Sequence, residues 1–133
     1  MAFVLDASVS AVWALADESA LMADIAEKRL KSETALAPRI WWYEVRNLLI
    51  INERRLRITA ADTAEFLNLL SSYPIRIDTV DDEQSIFRLA RQYQLSIYDA
   101  AYLAVAQRNQ LPLATLDRAL EAAAIAAGVP LLA

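Results

Sequence analysis

The chain has 133 residues, of which 57 % are hydrophobic and 23 % charged, and its formal net charge is −4. This length and composition predict one compact domain with a hydrophobic core. With no cysteine, no histidine and one glycine, Gly128, the sequence excludes disulfides, thiolate or imidazole zinc sites, Ser-His-Asp and Cys-His catalysis, and glycine-rich phosphate or dinucleotide loops.

The residue types that remain for chemistry are carboxylates, hydroxyls, Arg, Lys and Tyr. Carboxylates without imidazole or thiolate partners favour hard cations such as Mg²⁺ or Mn²⁺. No stretch reaches the ~18 uncharged apolar residues of a membrane span, and the N-terminus has no signal-peptide pattern. We therefore expect a cytoplasmic protein with no membrane partner and, if it is an enzyme, one that uses a metal.

Apolar periodicity and capping residues divide the chain into alternating strands and helices. Strands joined by crossover helices predict a parallel sheet covered on both faces, hence a three-layer α/β/α fold with about five strands. In chain order the predicted elements are strand 3–5, helix 8–16, helix 20–30, strand 34–38, helix 39–56, a helix from 59 that ends before 74, strand 75–80, helix 81–93, helix 96–107, strand 111–115, helix 116–127 and strand 129–132.

Connectivity places four carboxylates at one edge of this predicted sheet. Sites in open parallel sheets form at the carboxyl ends of the strands, where Asp6 ends the first strand and Asp117 follows the strand at 111–115. Asp99 lies in the first turn of the helix that runs into that strand, and Glu44 lies in the second turn of the third predicted helix. Crowded carboxylates disfavour one another's charge, so a divalent cation explains such a cluster best.

Each of these acids also has a purely structural explanation. Asp6 can be the polar end of a strand, Asp99 can form a capping box with Ser96, and Asp117 suits the positive end of a helix. Glu44 lies on or beside an apolar stripe, so it needs an arginine, hydrogen bonds or a cation as its partner. As a group, the four acids favour metal-assisted hydrolysis of a phosphodiester.

Four short segments around these acids occur along the whole chain: 3–8 (FVLDAS), 42–48 (WYEVRNL), 96–104 (SIYDAAYLA) and 113–120 (LATLDRAL). In this order and spacing they resemble the PIN domain family, and more narrowly the VapC-type toxins of bacterial and archaeal toxin–antitoxin pairs. The resemblance implies a single PIN-like domain over residues 1–133.

The resemblance further implies an endoribonuclease that cuts single-stranded RNA with Mg²⁺ or Mn²⁺. The positions that match the family's acidic quartet, expected to bind metal and to act in catalysis, are Asp6, Glu44, Asp99 and Asp117. Ser8 and Thr115 match supporting polar positions, although some members carry Asn in place of Ser8. The implied partners are an RNA substrate, a VapB-type antitoxin and a second copy of the chain in a homodimer.

An acidic chain needs a local basic surface to bind RNA. The arginines predicted to follow a phosphate backbone are Arg39, Arg46, Arg54 and Arg55, with Arg57 close by. A solvated helix end explains the same residues without RNA. The aromatic residues that can stack bases, or else pack in the core or a dimer, are Trp41, Trp42, Tyr43, Tyr98 and Tyr102.

Other functional classes fit parts of the pattern. A receiver-like signalling domain has a similar size and an acidic pocket, but by family resemblance it needs an acidic pair after the first strand and a lysine after the last. The only lysines are Lys28 and Lys31. A phosphatase of the haloacid dehalogenase type needs Asp-x-Asp where the chain has Asp6-Ala7-Ser8. A catalytically silent PIN-fold interaction module is the remaining alternative, which the intact acidic quartet disfavours.

Overall fold

The computed structural model describes residues 1–15 and 17–133. The end of the first predicted helix, at residue 16, lies outside the described residues. In the described part, the chain order is β1 (Ala2–Leu5), α1 (Ala7–Ala14), α2 (Leu21–Arg29), β2 (Thr34–Pro38), α3 (Arg39–Arg54), α4 (Ala60–Ser71), β3 (Ile75–Asp78), α5 (Glu83–Tyr93), α6 (Ile97–Asn109), β4 (Leu113–Ala114) and α7 (Arg118–Ala126).

The strands form one parallel sheet in the order β3-β2-β1-β4, with β1 between β2 and β4. The residues of β1 from Phe3 to Leu5 are completely buried, as expected for a parallel strand covered on both faces. Helix α6 packs against β1 and β2 with α5 and α7 beside it, whereas α1 packs against α2, α3 and α4. The three-layer α/β/α fold is therefore confirmed.

The prediction of a fifth strand at 129–132 is wrong. That segment makes a single parallel bridge, between Leu131 and Leu113. Leu113 N donates to Pro130 O at 2.9 Å, and Leu132 N donates to Leu113 O at 2.9 Å. Because Pro130 has no N–H, the segment cannot extend the ladder. Within the described residues the sheet has four strands.

Capping residues set the ends of several helices. Thr59 and Asp62 form a complete capping box at the start of α4, as predicted. Gly128 follows α7 with a left-handed φ of 76°, and Gln94 and Gln110 adopt a left-handed φ of 54° at the C-caps of α5 and α6. In the part of the chain that the structure describes, no helix is long and apolar enough to cross a membrane.

We expect Gln94→Gly to stabilise the protein by about 1 kcal/mol, because a residue with a Cβ is strained in the left-handed region and glycine is not. Gln84→Gly makes the same change at an exposed position inside α5, where glycine should cost about 0.5–1 kcal/mol. Urea denaturation of both variants tests the pair. Equal effects of the two substitutions would contradict this account of the α5 C-cap.

Candidate active site

Asp6 directly follows β1, one of the two inner strands, and only 5 % of its surface is exposed. Its Oδ2 accepts hydrogen bonds from Ser8 Oγ at 2.6 Å and from Thr115 Oγ1 at 2.8 Å. Burial raises the pKa of Asp6, the two hydroxyl groups partly lower it, and the charge of Asp117 raises it further. Among the described residues Asp6 has no salt-bridge partner, so neutral donors alone hold this carboxylate.

The same two hydroxyl groups join the turns that follow β1 and β4. Leu116 N donates to Ser8 Oγ at 3.0 Å, and Asp117 N donates to Thr115 Oγ1 at 3.0 Å. Each hydroxyl oxygen thus accepts a hydrogen bond from a backbone N–H, while its single O–H proton is donated to the Asp6 carboxylate. The two turns are thereby locked together around Asp6.

Asp117 and Asp99 both lie at helix N-termini. Asp117 is the N-cap of α7, and its Oδ1 accepts from Leu120 N at 2.9 Å. Asp99 is in the first turn of α6, where its backbone N donates to the N-cap hydroxyl of Ser96 at 3.1 Å. Burial raises the pKa of Asp99, and the charges of Asp117 and Asp6 raise it further. Asp117 caps α7 as expected, whereas the capping box expected at Ser96 is only half formed, because within the described residues Ser96 N makes no hydrogen bond to the Asp99 carboxylate. The Asp99 carboxylate is coupled to the other acids.

Glu44 is half-buried in the second turn of α3, and its Oε1 accepts a hydrogen bond from Tyr102 Oη at 2.7 Å. Burial raises the pKa of Glu44, the tyrosine hydrogen bond partly lowers it, and the charges of Asp6 and Asp99 raise it. The structure therefore gives Glu44 a tyrosine partner and, within the described residues, no arginine.

Tyr102 is the site residue that the sequence analysis missed, because it was expected to serve in base stacking or in packing. Its side chain is completely buried. Burial and the nearby charges of Asp6 and Glu44 raise the pKa of Tyr102, so the phenol stays protonated and remains a donor. The available signal is its spacing from Asp99, since residues three apart lie on one side of a helix.

A second buried hydrogen bond fixes the helix that carries Glu44. Trp41 Nε1 in α3 donates to Ser10 Oγ in α1 at 3.0 Å, and both side chains are buried. Helix α3, which carries Glu44, is thus attached to α1, whose N-cap is Asp6.

The four predicted acids lie near enough for their charges to interact, because Asp117 raises the pKa of Asp6 and Asp99, and Asp6 and Asp99 raise that of Glu44. The donors are carboxylate and hydroxyl oxygens, which Mg²⁺ and Mn²⁺ prefer. Across residues 1–15 and 17–133, no three acidic side chains converge closely enough to hold one metal ion together. Mg²⁺ usually binds through one or two carboxylates, with water and substrate phosphates completing its shell, so this donor set fits such an ion.

The arginines predicted to contact RNA form two groups on α3. Arg39 begins the helix and donates to Asp81 Oδ1 at 3.3 Å and to Thr79 O at 3.0 Å. Arg46, two turns further along, stacks over Trp42 with its guanidinium carbon 3.9 Å from the ring centroid.

Arg54 and Arg55 lie at the other end of α3, roughly 22 Å from Arg39 along the helix axis. Arg57 donates to Asp17 and Glu18 at 3.0 and 2.9 Å, so its charge is already balanced. The basic residues therefore do not form one continuous stripe beside the acids.

Comparisons with known proteins agree with this fold. A family model described as PIN domain matches residues 3–126. The crystal structure of PAE2754 from Pyrobaculum aerophilum has a TM-score of 0.70 at 27 % identity, over 92 % of this chain and 87 % of that one. VapC20 of Mycobacterium tuberculosis, described as a Sarcin-Ricin loop cleaving toxin, has a TM-score of 0.63 at 19 % identity, over 91 % of this chain and 94 % of that one. No curated protein matches the sequence.

We expect Asp6→Asn to raise the free energy of unfolding at neutral pH in EDTA by on the order of 1 kcal/mol. The pKa of Asp6 in the folded protein is raised above 3.8, so folding disfavours the ionised carboxylate. The gain in unfolding free energy from Asp6→Asn is therefore present when the pH is above the raised pKa, and it disappears as the pH falls below 3.8.

Urea denaturation at neutral and acidic pH measures this effect. Asp24→Asn, on the exposed side of α2, is the matched control and should change stability little. A loss of stability in Asp6→Asn at neutral pH would contradict the account.

Proposed function

The chain belongs to the PIN domain family, and from that premise we propose that it is a metal-dependent endoribonuclease, the toxin of a VapBC-type toxin–antitoxin pair. The main support is that burial raises the pKa of each of Asp6, Glu44 and Asp99, and the charge of another acid in the cluster raises it further. Crowded negative charge destabilises a fold unless a cation offsets it. The cluster is therefore explained better by function than by stability.

We propose that the residues holding one or two Mg²⁺ or Mn²⁺ ions are Asp6, Glu44, Asp99 and Asp117. When bound, such an ion supplies Lewis-acid chemistry, because it lowers the pKa of a water molecule and offsets negative charge on a phosphodiester.

The surrounding residues orient these ligands. Ser8 and Thr115 fix the Asp6 carboxylate through hydrogen bonds of 2.6 and 2.8 Å. Tyr102 does the same for Glu44, and its raised pKa keeps it protonated at neutral pH. Asp6 and Glu44 are thus restrained before any substrate binds, which lowers the entropic cost of assembling the site.

The RNA is proposed to approach along α3. Arg39 and Arg46 lie on one side of this helix because seven residues make about two turns, whereas Arg54 and Arg55 can contact phosphates further from the acids. The overall charge of −4 gives no general attraction to RNA, so binding depends on these local cations.

We propose that the partners in the cell are a VapB-type antitoxin and a second copy of the chain. A groove of about 610 Å³ between α1 and α4 contains Trp13, Phe66 and Leu69 beside Asp62 and Glu65. An antitoxin segment with apolar and basic side chains would complement this groove.

Purified protein is expected to cut single-stranded RNA when Mg²⁺ or Mn²⁺ is present and to stop when EDTA is added. Asp99→Asn should lower the cleavage rate at least about 100-fold, because removing one metal ligand typically costs several kcal/mol of transition-state stabilisation. The rate is measured with labelled RNA substrates of varied sequence.

Asp24→Asn, purified identically, is the control for contaminating nuclease and for a general effect of removing one charge. Cleavage by Asp99→Asn at the unaltered rate would refute the assignment of the acidic cluster.

Expression in a bacterial host should arrest growth if the protein is a toxin. Asp6→Asn should abolish the arrest because the metal site is disabled, and Asp24→Asn should preserve it. Growth curves with immunoblots of soluble protein measure the outcome. Normal growth despite abundant protein that cuts RNA in vitro would indicate RNA processing rather than toxicity.

A further inference from the structure

An apolar cleft of about 280 Å³ lies between the start of α3, one side of α6 and the segment from the end of β3 into α5. Ile40, Ala101 and Val105 contribute to its apolar lining, and Tyr43 and Tyr98 line it as exposed side chains, 65 % and 57 % accessible. Pockets for drug-sized ligands usually begin near 300 Å³, so this cleft suits one flat ring system.

The cleft adjoins the acidic cluster. Pairing of Val4 with Leu36, continued by two residues, places Asp6 beside Pro38, which lines the cleft. Neighbouring strands are about 4.8 Å apart. Tyr43 and Tyr98 directly precede Glu44 and Asp99, so the cleft begins within one residue of two proposed metal ligands.

Tyr43, which lines the cleft, packs against a neighbouring aromatic side chain. Trp42 packs edge-on against Tyr43, with ring centroids 5.1 Å apart at 70°, and Arg46 covers the ring of Trp42. Arg39 lies at the rim, where its hydrogen bonds to Asp81 and Thr79 use Nε and Nη2. A guanidinium has five N–H donors, so Arg39 can also contact a phosphate.

We propose that this cleft binds one base of single-stranded RNA, that of the nucleotide next to the scissile phosphate. The proposal rests on the ribonuclease function proposed above. A base presents a flat face to Tyr43 and Tyr98, and its phosphate presents negative charge to Arg39. Stacking tolerates any base, whereas the Asp81 carboxylate at the rim favours a base whose edge carries N–H donors.

A nucleotide fits this chemistry better than a second copy of the chain. A protein interface of standard size buries roughly 800 Å² on each partner, whereas the observed feature is a concave pocket sized for one ring. The pocket is also next to the proposed metal ligands, since Tyr43 and Tyr98, which line it, directly precede Glu44 and Asp99.

The first test measures nucleotide binding to the full-length protein by NMR. Titration with AMP, GMP, CMP and UMP should shift the amide signals of Tyr98 and Ala101, and a base-free control, ribose 5-phosphate, should not.

Tyr98→Ala should weaken binding about tenfold through lost stacking, whereas Tyr98→Phe should restore it. Ala101→Leu, which fills the cleft, should abolish binding. Phe87→Ala removes an exposed aromatic residue that does not line the cleft and is the matched control.

The second test measures cleavage of a randomised RNA library. Tyr98→Ala and Ala101→Leu should flatten the base preference at one position beside the cut and slow cleavage of preferred sequences about tenfold. If cleavage remains metal-dependent and its base preference is unchanged in these variants, the proposal that the cleft binds a base is overturned, while the proposed ribonuclease function stands. Base-dependent NMR shifts without any RNA cleavage would support base binding by the cleft and refute the proposed ribonuclease function.

Two further outcomes would overturn the proposal. Ribose 5-phosphate that reproduces the nucleotide shifts would show that the rim binds phosphate alone. Dissociation of a dimer by Tyr98→Ala or Ala101→Leu in sedimentation experiments, with nucleotide binding unchanged, would show that a second copy covers the cleft.

Discussion

The hydrogen bonds that Ser8 and Thr115 donate to Asp6 hold a buried carboxylate where, in the described residues, no basic side chain pairs with it. Hydrogen bonds to a charged group are worth about 1.5–3 kcal/mol each, and the one from Thr115 requires β4 to lie directly beside β1. The register that pairs Leu5 with Ala114 is therefore a requirement of the site as well as of the sheet. A shift of one residue would turn Thr115 to the other face.

Helix ends offset part of the remaining charge. Asp6 is the N-cap of α1, Asp99 lies in the first turn of α6, and Asp117 is the N-cap of α7. A helix N-terminus favours a carboxylate by about 0.3–1 kcal/mol. That contribution is smaller than the combined effects of burial and mutual repulsion, because the pKa values of Asp6 and Asp99 are still raised. The fold thus offsets only part of the negative charge of the cluster, and a bound cation would neutralise the rest.

Local signals predicted the features that depend on neighbouring residues. The capping box at Thr59, the strand at 34–38 and the positions of Asp6 and Asp117 after β1 and β4 all follow from short-range patterns and connectivity. The Tyr102–Glu44 hydrogen bond joins residues 58 positions apart and depends on how α6 packs beside α3, which periodicity does not specify. The prediction of a fifth strand was wrong because Pro130 interrupts an otherwise suitable apolar run. The arginines of α3 fall within one short segment of the sequence, but the length of the helix separates Arg39 from Arg54 and Arg55.

The bond between Thr115 and Asp6 closes a loop of 109 residues, which has a consequence for the order of folding. Contacts of such long sequence separation form late, because most of the chain entropy must be lost first. During synthesis, a nascent chain that has reached α4 already contains Asp6 and Glu44 but neither Asp99 nor Thr115 and Asp117. The carboxylate cluster is therefore assembled only after residue 117 has been synthesised, and a translation product that stops at α4 contains two of the four acids without Thr115.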